Sequence, residues 1–175
     1  RASNAGVFVA ASAGNSGPGT AVAHVSPWLT TVAASTHDRN NQADVTLGNG
    51  AKYSGASLNV NALGSAPMIT SIAAKAATAS DSDANLCFLN SGGAPTLDPA
   101  KTAGKIVVCT RGTNARVEKS LTVANAGGVG MVLADNGAGL MAEAHSVPTV
   151  HVNAADGAAI KTYVGGAAPT ASISA

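Results

Sequence analysis

The stretch KIVVCTRGTNARVEKSLTVANAGGVGMVLA, residues 105–134, constrains the chain more than any other. Ile106–Cys109 is an uninterrupted apolar run, as expected of a strand buried on both faces, and Val129–Ala134 is a second. Residues 114–126 between them carry helical spacing. Val117, Leu121 and Ala124 fall at i, i+4 and i+7, which predicts the buried face of the helix. Asn114 stands where a cap is needed, and Gly127-Gly128 is placed to end the helix. Two buried strands joined by one helix make a parallel crossover, normally right-handed.

The remaining chain adds strands around that unit. Val7–Ala11 and Leu29–Ala34 read as short buried strands. Asp44–Leu47 and Ala51–Tyr53, separated by Gly48-Asn49-Gly50, read as a hairpin whose Asn-Gly supplies the positive φ angles of a tight I′ turn. Residues 59–100 are rich in Ala, Ser, Asn, Gly and Pro, and Pro67–Ile72 is their one strand signal. Residues 135–146 read as an irregular loop. Thr149–Val152 follows as a strand and 154–164 as a helix, capped by Asn153 with Asp156 three residues on and burying Ile160 and Val164. The end, 168–175, alternates as a final strand.

Composition excludes several classes of function. A net charge of +1 gives no field for nucleic acid or acidic membranes. The one basic concentration, Arg111 to Lys119, includes Glu118 and reads as a solvated helix face. No apolar run is long enough to cross a bilayer, and no signal peptide opens the chain. The opening residues already read as helix end and strand, so a piece of a longer protein is expected. Cys87 and Cys109 allow one pairing; they are either a disulfide of an extracellular protein or two buried thiols.

Three kinds of active site can be tested on the sequence. Ser16 lacks any His or Asp at an activating spacing, and no Gly-x-Ser-x-Gly elbow occurs. The four histidines, His24, His37, His145 and His151, lie in separate contexts and read as surface or loop residues. Glu143, His145 and His151 are near enough in sequence to suggest a metal site, but proximity is not ligand geometry, so no metal and no cofactor is expected. Gly127-Gly128-x-Gly130 closes a helix and enters a strand, the reverse of the order a phosphate cradle needs. Asn15 remains. At the tip of a strand between glycines, its amide is suited either to donate to an oxyanion or to satisfy its own turn.

The stretch GVFVAASAGNSGPG, followed by SPWLTTVAAST at 26–36, resembles the oxyanion-asparagine region of the subtilisin-like serine proteases. The resemblance implies that Asn15, after Ala13-Gly14, is the oxyanion donor. Residues 97–135 and 142–164 resemble the protease-associated (PA) domain inserted into secreted members of that family, and 46–58 resembles their linking hairpin. The implied fold is α+β: a PA-domain-like β-sandwich or open barrel with flanking helices, plus an N-terminal remnant of a subtilisin-type α/β domain. The expected boundaries are 1–36 for the remnant, 37–58 for the hairpin and 59–175 for the PA domain. The resemblance also implies a Cys87–Cys109 disulfide.

The departures limit what is carried over. No Asp-Thr/Ser-Gly, His-Gly-Thr-His or Gly-Thr-Ser-Met-Ala motif occurs here, so no triad residue is assigned. The resemblance implies a segment of a secreted, extracellular serine endopeptidase that is inert alone and works as an accessory domain for substrate access, peptide binding or dimer contacts. Its expected partners are the rest of the parent protease, protein or peptide substrates and another copy of itself. The alternative is a stand-alone PA-type binding module. Residues 1–36, with apolar strands lacking neighbours, are expected to be disordered, repacked or held in an intermolecular contact.

Overall fold

The computed structural model describes residues 2–16, 19, 21–35 and 40–175, which divide into two compact units at residues 39 and 40. The end of the N-terminal segment and the start of the linking segment, 36–39, lie outside the described residues, and His37 with them.

The first unit has a 3-10 turn at Ser3–Ala5 and two parallel strands, β1 (Ala10–Ser12) and β2 (Thr30–Val32), with Ala10 opposite Thr30. Both expected strands exist, but each is only three residues long and, contrary to the buried reading, none of their residues is buried. Among the described residues the unit has two strands and no covering layer, and Phe8, Val25 and Trp28 are more than half exposed.

The second unit is built on a closed seven-stranded barrel, not an open one or a sandwich. The chain runs β3 (Gln42–Leu47), β4 (Lys52–Ala56), β5 (Leu63–Thr70), helix α1 (Asp81–Asn85) and the two-residue strands β6 (Asn90–Ser91) and β7 (Ala94–Pro95). It continues through α2 (Pro99–Thr102), β8 (Ile106–Thr110), α3 (Arg116–Asn125), β9 (Gly130–Ala134), β10 (Thr149–Val152), α4 (Ala154–Val164) and β11 (Thr170–Ile173). Around the barrel the order is β10-β4-β3-β11-β5-β8-β9. β5, β8, β9 and β10 are mutually parallel neighbours; the remaining pairs are antiparallel. The β8–α3–β9 crossover expected from residues 105–134 is present, with Ile106 opposite Gly130.

The pair expected to be a linking hairpin is part of the barrel itself. β3 pairs with β11, and β4 closes the circle against β10 through a single register pair, Ala56 with His151. That seam depends on Gly55. A Cβ there would stand 2.8 Å from the His151 carbonyl carbon. The hairpin turn also differs from the I′ expectation. Gly48-Asn49-Gly50 forms a three-residue loop, Gly50 has φ +87° and Asn49 is not in the positive region. Asn49 instead accepts the Ala51 N–H through Oδ1, so an Asx contact replaces the second left-handed residue.

Strand alternation divides the apolar residues into two cores. Val45, Met68, Ile106, Val108, Val132, Val150 and Ile173 fill the barrel with Ile160 of α4. Val107, Cys109, Met131 and Leu133 form the second core outside it, with Val123 of α3, Leu97 and Cys87. A disulfide joins Cys87 to Cys109 across this outer layer.

Helix α3 buries the opposite face from the one its apolar spacing predicts. Val117 and Leu121 are both 41% exposed, whereas Lys119, Ser120 and Val123 are buried. The outer core is already filled by strand residues and the disulfide, so the helix contributes one large apolar side chain there, Val123. Nearby segments supply partners for both: the Leu86 carbonyl accepts from Lys119, and the Ser146 N–H donates to the Ser120 hydroxyl. Nor is Asn114 the cap. The N-cap is Ala115, without a side-chain bond, while Asn114 accepts from Lys119 and donates to Glu118. Gly127, at φ +77°, ends the helix as expected. Asn153 caps α4 by accepting the Asp156 N–H at 2.8 Å.

Candidate functional site

Two places hold the chemistry. The first is the end of β1. Ala13 N–H donates to the Val32 carbonyl at 3.0 Å, and its own carbonyl accepts the Ala23 N–H at 2.9 Å. Gly14 then turns with φ +90°, and a Cβ there would stand 2.9 Å from the Ala23 Cβ. Both the left-handed backbone and the close approach require glycine. Asn15 and Ser16 follow immediately and are exposed, at the carboxyl end of a parallel strand pair. His24 Nδ1 donates to the Ser12 carbonyl at 2.7 Å.

The second place is the rim of the barrel where β8, β9 and β10 end. The three residues considered as metal ligands go to three different partners. Glu143 forms an ion pair with Arg116, whose Nη2 donates to Oε1 at 3.0 Å and whose Nε donates to Oε2. That hydrogen bond holds the Glu143 carboxyl below its ordinary value. His145 Nδ1 meets the Ser120 hydroxyl at 3.0 Å, and burial lowers its pKa. His151 is fully buried in β10, contrary to a surface or loop reading, and burial lowers its pKa as well. Among the described residues no group of three His, Cys, Asp or Glu side chains is placed to hold a metal ion.

What gathers at the rim instead is a buried ionic cluster. Asp135 closes β9, and its Oδ1 accepts from Arg111 Nη1 at 2.9 Å and from His151 Nε2 at 3.2 Å. Its Oδ2 accepts the N–H groups of Gly137 at 2.8 Å and Gly139 at 3.0 Å. Burial pushes this carboxyl up, but those hydrogen bonds and the His151 field outweigh it and hold the group at about 2. Arg111 also donates to the Gly139 carbonyl. The segment Arg111–Lys119 is therefore not a solvated face. Its arginines fasten the loop 136–144 and its lysine is buried. Sequence reasoning missed Arg111 and Asp135. The available signal was position: each follows a buried parallel strand at its carboxyl end, where such sheets collect polar groups.

A run of clefts lies toward the other end of β10, where that strand begins beside the residues that follow β4. A cleft of about 260 Å³ lies between residues 58–61 and 143–149. A second, of about 200 Å³, shares Leu58, Asn59 and Val60 with it. A third, of about 300 Å³, shares Asn41 and Gln42 with the second and is flanked by Leu140. The three form one strip. Leu58, Val60 and Leu140 stand exposed along it, with Val60 at 81%, and Met141, next to Leu140 in the chain, is exposed as well. The carboxamides of Asn41, Gln42 and Asn61 have no side-chain hydrogen bond among the described residues.

Residues 64–160 match the family described as the PA domain. Subtilisin-like protease SBT5.3 of Arabidopsis thaliana is 46% identical over 165 residues, 90% of this chain and 21% of that protein. Subtilisin-like protease SBT1.6 of the same plant is 44% identical over 166 residues, 93% of this chain and 21% of that protein. Subtilisin-like protease SBT1.7 is 44% identical over 175 residues, 97% of this chain and 22% of that protein. The chain spans about a fifth of the length of these curated relatives. No helix among the described residues is long and apolar enough to cross a membrane.

Proposed function

The chain belongs to the PA domain family, and we propose that it is the accessory segment of a secreted subtilisin-like serine endopeptidase, holding extended peptide along the barrel rim while lending Asn15 to the catalytic centre. The observation that carries this reading is the extent of similarity. Relatives named as subtilisin-like proteases align over up to 97% of the chain, so the likeness includes the N-terminal unit as well as the PA domain. A free-standing binding module has no use for a strand ending in Ala13-Gly14-Asn15.

The division of labour follows from chemistry. Asn15 Nδ2–H is a donor suited to the negative oxygen that forms when a nucleophile adds to a peptide carbonyl. The nucleophile, its base and the carboxylate behind it come from the rest of the parent protein, its principal partner. The rim offers apolar side chains beside free carboxamides and little net charge. That combination fits an uncharged extended peptide, whose side chains seek apolar surface and whose amides seek hydrogen bonds.

The test compares the purified chain with the full-length protein that carries it. The chain alone leaves casein intact and takes no label from a serine-directed fluorophosphonate; the full-length protein cleaves and is labelled. Cleavage by the chain, or an unlabelled full-length protein, overturns the proposal.

A further inference from the structure

We propose that His151 is an acid-operated latch on the barrel rim: uncharged, it accepts the Met141 N–H, and once protonated it must release that N–H and turn donor toward the Met141 carbonyl, re-setting the loop that displays Leu140 and Met141.

The neighbours of the His151 ring fix its tautomer. His151 Nδ1 lies 3.1 Å from the Met141 nitrogen. A backbone N–H only donates, so Nδ1 is the acceptor and the ring proton sits on Nε2. Nε2 is then the donor to Asp135 Oδ1 at 3.2 Å. Both ring nitrogens are used, one in each sense. The Met141 carbonyl oxygen also stands 3.3 Å from Nδ1. A proton added at Nδ1 therefore repels the N–H it had accepted and finds the carbonyl of the same residue as its new acceptor. One proton reverses the hydrogen bond that fixes the loop tip.

The surroundings separate this bond from the rest of the loop. Gly137 and Gly139 are held by Asp135, whose carboxyl, at about 2, stays charged through mild acid. Only Met141 is held by a group that titrates nearby. The charged groups facing His151 are Asp135 from β9 and Arg111 from β8, with Glu143 and His145 from the segment before β10. β4, on its other side, brings Ala56, which carries no charge. Burial is the largest influence on the ring and lowers its pKa, so the latch works below the ordinary histidine range. Leu140 and Met141 are 44% and 53% exposed, and Leu140 flanks the rim clefts, so resetting this peptide changes the surface offered there.

The consequence for peptide binding rests on the function proposed above; the latch itself does not. It is read on the full 175-residue chain by amide hydrogen exchange between about pH 7 and pH 4, corrected for intrinsic rates, with His151 followed by its ring proton shifts. Protection of the Met141 amide falls about tenfold with the His151 midpoint, while Gly137 and Gly139 keep theirs. His151→Gln has one acceptor and one donor but does not titrate, and it abolishes the pH dependence; His145→Gln leaves it. Constant Met141 protection in the wild type, simultaneous loss at all three amides, or pH-dependent loss persisting in His151→Gln overturns the latch. The wild-type comparison stands even if the glutamine variant does not fold. A working latch on a chain that binds no casein peptide sinks the peptide reading alone.

Discussion

The ammonium of Lys119 stands 2.5 Å from the carbonyl oxygen of Leu86, the residue that ends α1, and the lysine is fully buried. Its other partner is Asn114 Oδ1. Leu86 precedes Cys87, a non-glycine residue at φ +47°, so the lysine ties down the corner from which the disulfide departs.

Burial drives the Lys119 pKa down to about 8 from 10.5, with Glu118 opposing more weakly. Over that interval the unfolded chain holds a proton that the folded chain has released, so stability rises with pH there. Lys119→Met removes this contribution. The wild type should gain about 2–3 kcal/mol over the variant from neutral pH to about 10.5, measured by urea unfolding.

Cys87 and Cys109 are 22 residues apart, and both are fully buried. Closing a loop of that length lowers the entropy of the unfolded chain by an amount worth about 3 kcal/mol. Replacing both cysteines by alanine should lower the unfolding free energy by about that much. The change should exceed that of Val123→Ala unless the outer core collapses into the space left by the sulfurs, which calorimetry on both variants decides.

The strands of the crossover, the α4 cap and the apolar strand residues were legible because local signals and tertiary demands agree there. Ile106–Cys109 is apolar on both faces because it lies between two cores. The failures occur where tertiary context overrules periodicity. Val117 and Leu121 look like a buried face, but α3 packs through Val123 beside two polar residues whose partners come from distant segments. Lys119 pairs with Leu86, 33 residues away, and no local pattern announces that contact. Barrel closure was hidden for the same reason, since one pairing, Ala56 with His151, joins segments far apart in the chain.

That closure gives a further prediction at Gly55. A methyl group there meets the His151 carbonyl, which is backbone and cannot swing aside. Gly55→Ala should cost about 1–3 kcal/mol and raise amide exchange in β4 and β10. Gly64, in β5, has ordinary φ and nothing within 4 Å of an added Cβ. Gly64→Ala should be neutral or slightly stabilising. Equal effects at the two sites would show that the seam is not under steric control.

Val60 and Leu140 flank the rim clefts and are exposed, so changing them should leave stability within about 0.5 kcal/mol. If the rim holds peptide, Val60→Asp and Leu140→Asp each remove apolar contact and should weaken binding of an extended casein peptide by about tenfold. Affinity measured by calorimetry, with thermal midpoints alongside, checks both halves. Unchanged affinity in both variants would place peptide elsewhere.

Asn15 provides the test that reaches the catalytic centre. Its backbone is fixed by Gly14, at φ +90° against Ala23, so the side chain can be altered without moving the turn. If Asn15 serves the oxyanion as proposed, Asn15→Ala in the full-length protein removes one hydrogen-bond donor to it. Loss of such a donor should lower kcat by about 10²–10³-fold. KM should change little, because the interaction is made in the transition state and not with the bound substrate. On the same reading the nucleophile and its base come from the rest of the parent, so fluorophosphonate labelling should persist. A variant with unchanged kcat, or one that loses activity entirely through KM, would remove Asn15 from the catalytic centre and leave it as the residue that completes a turn.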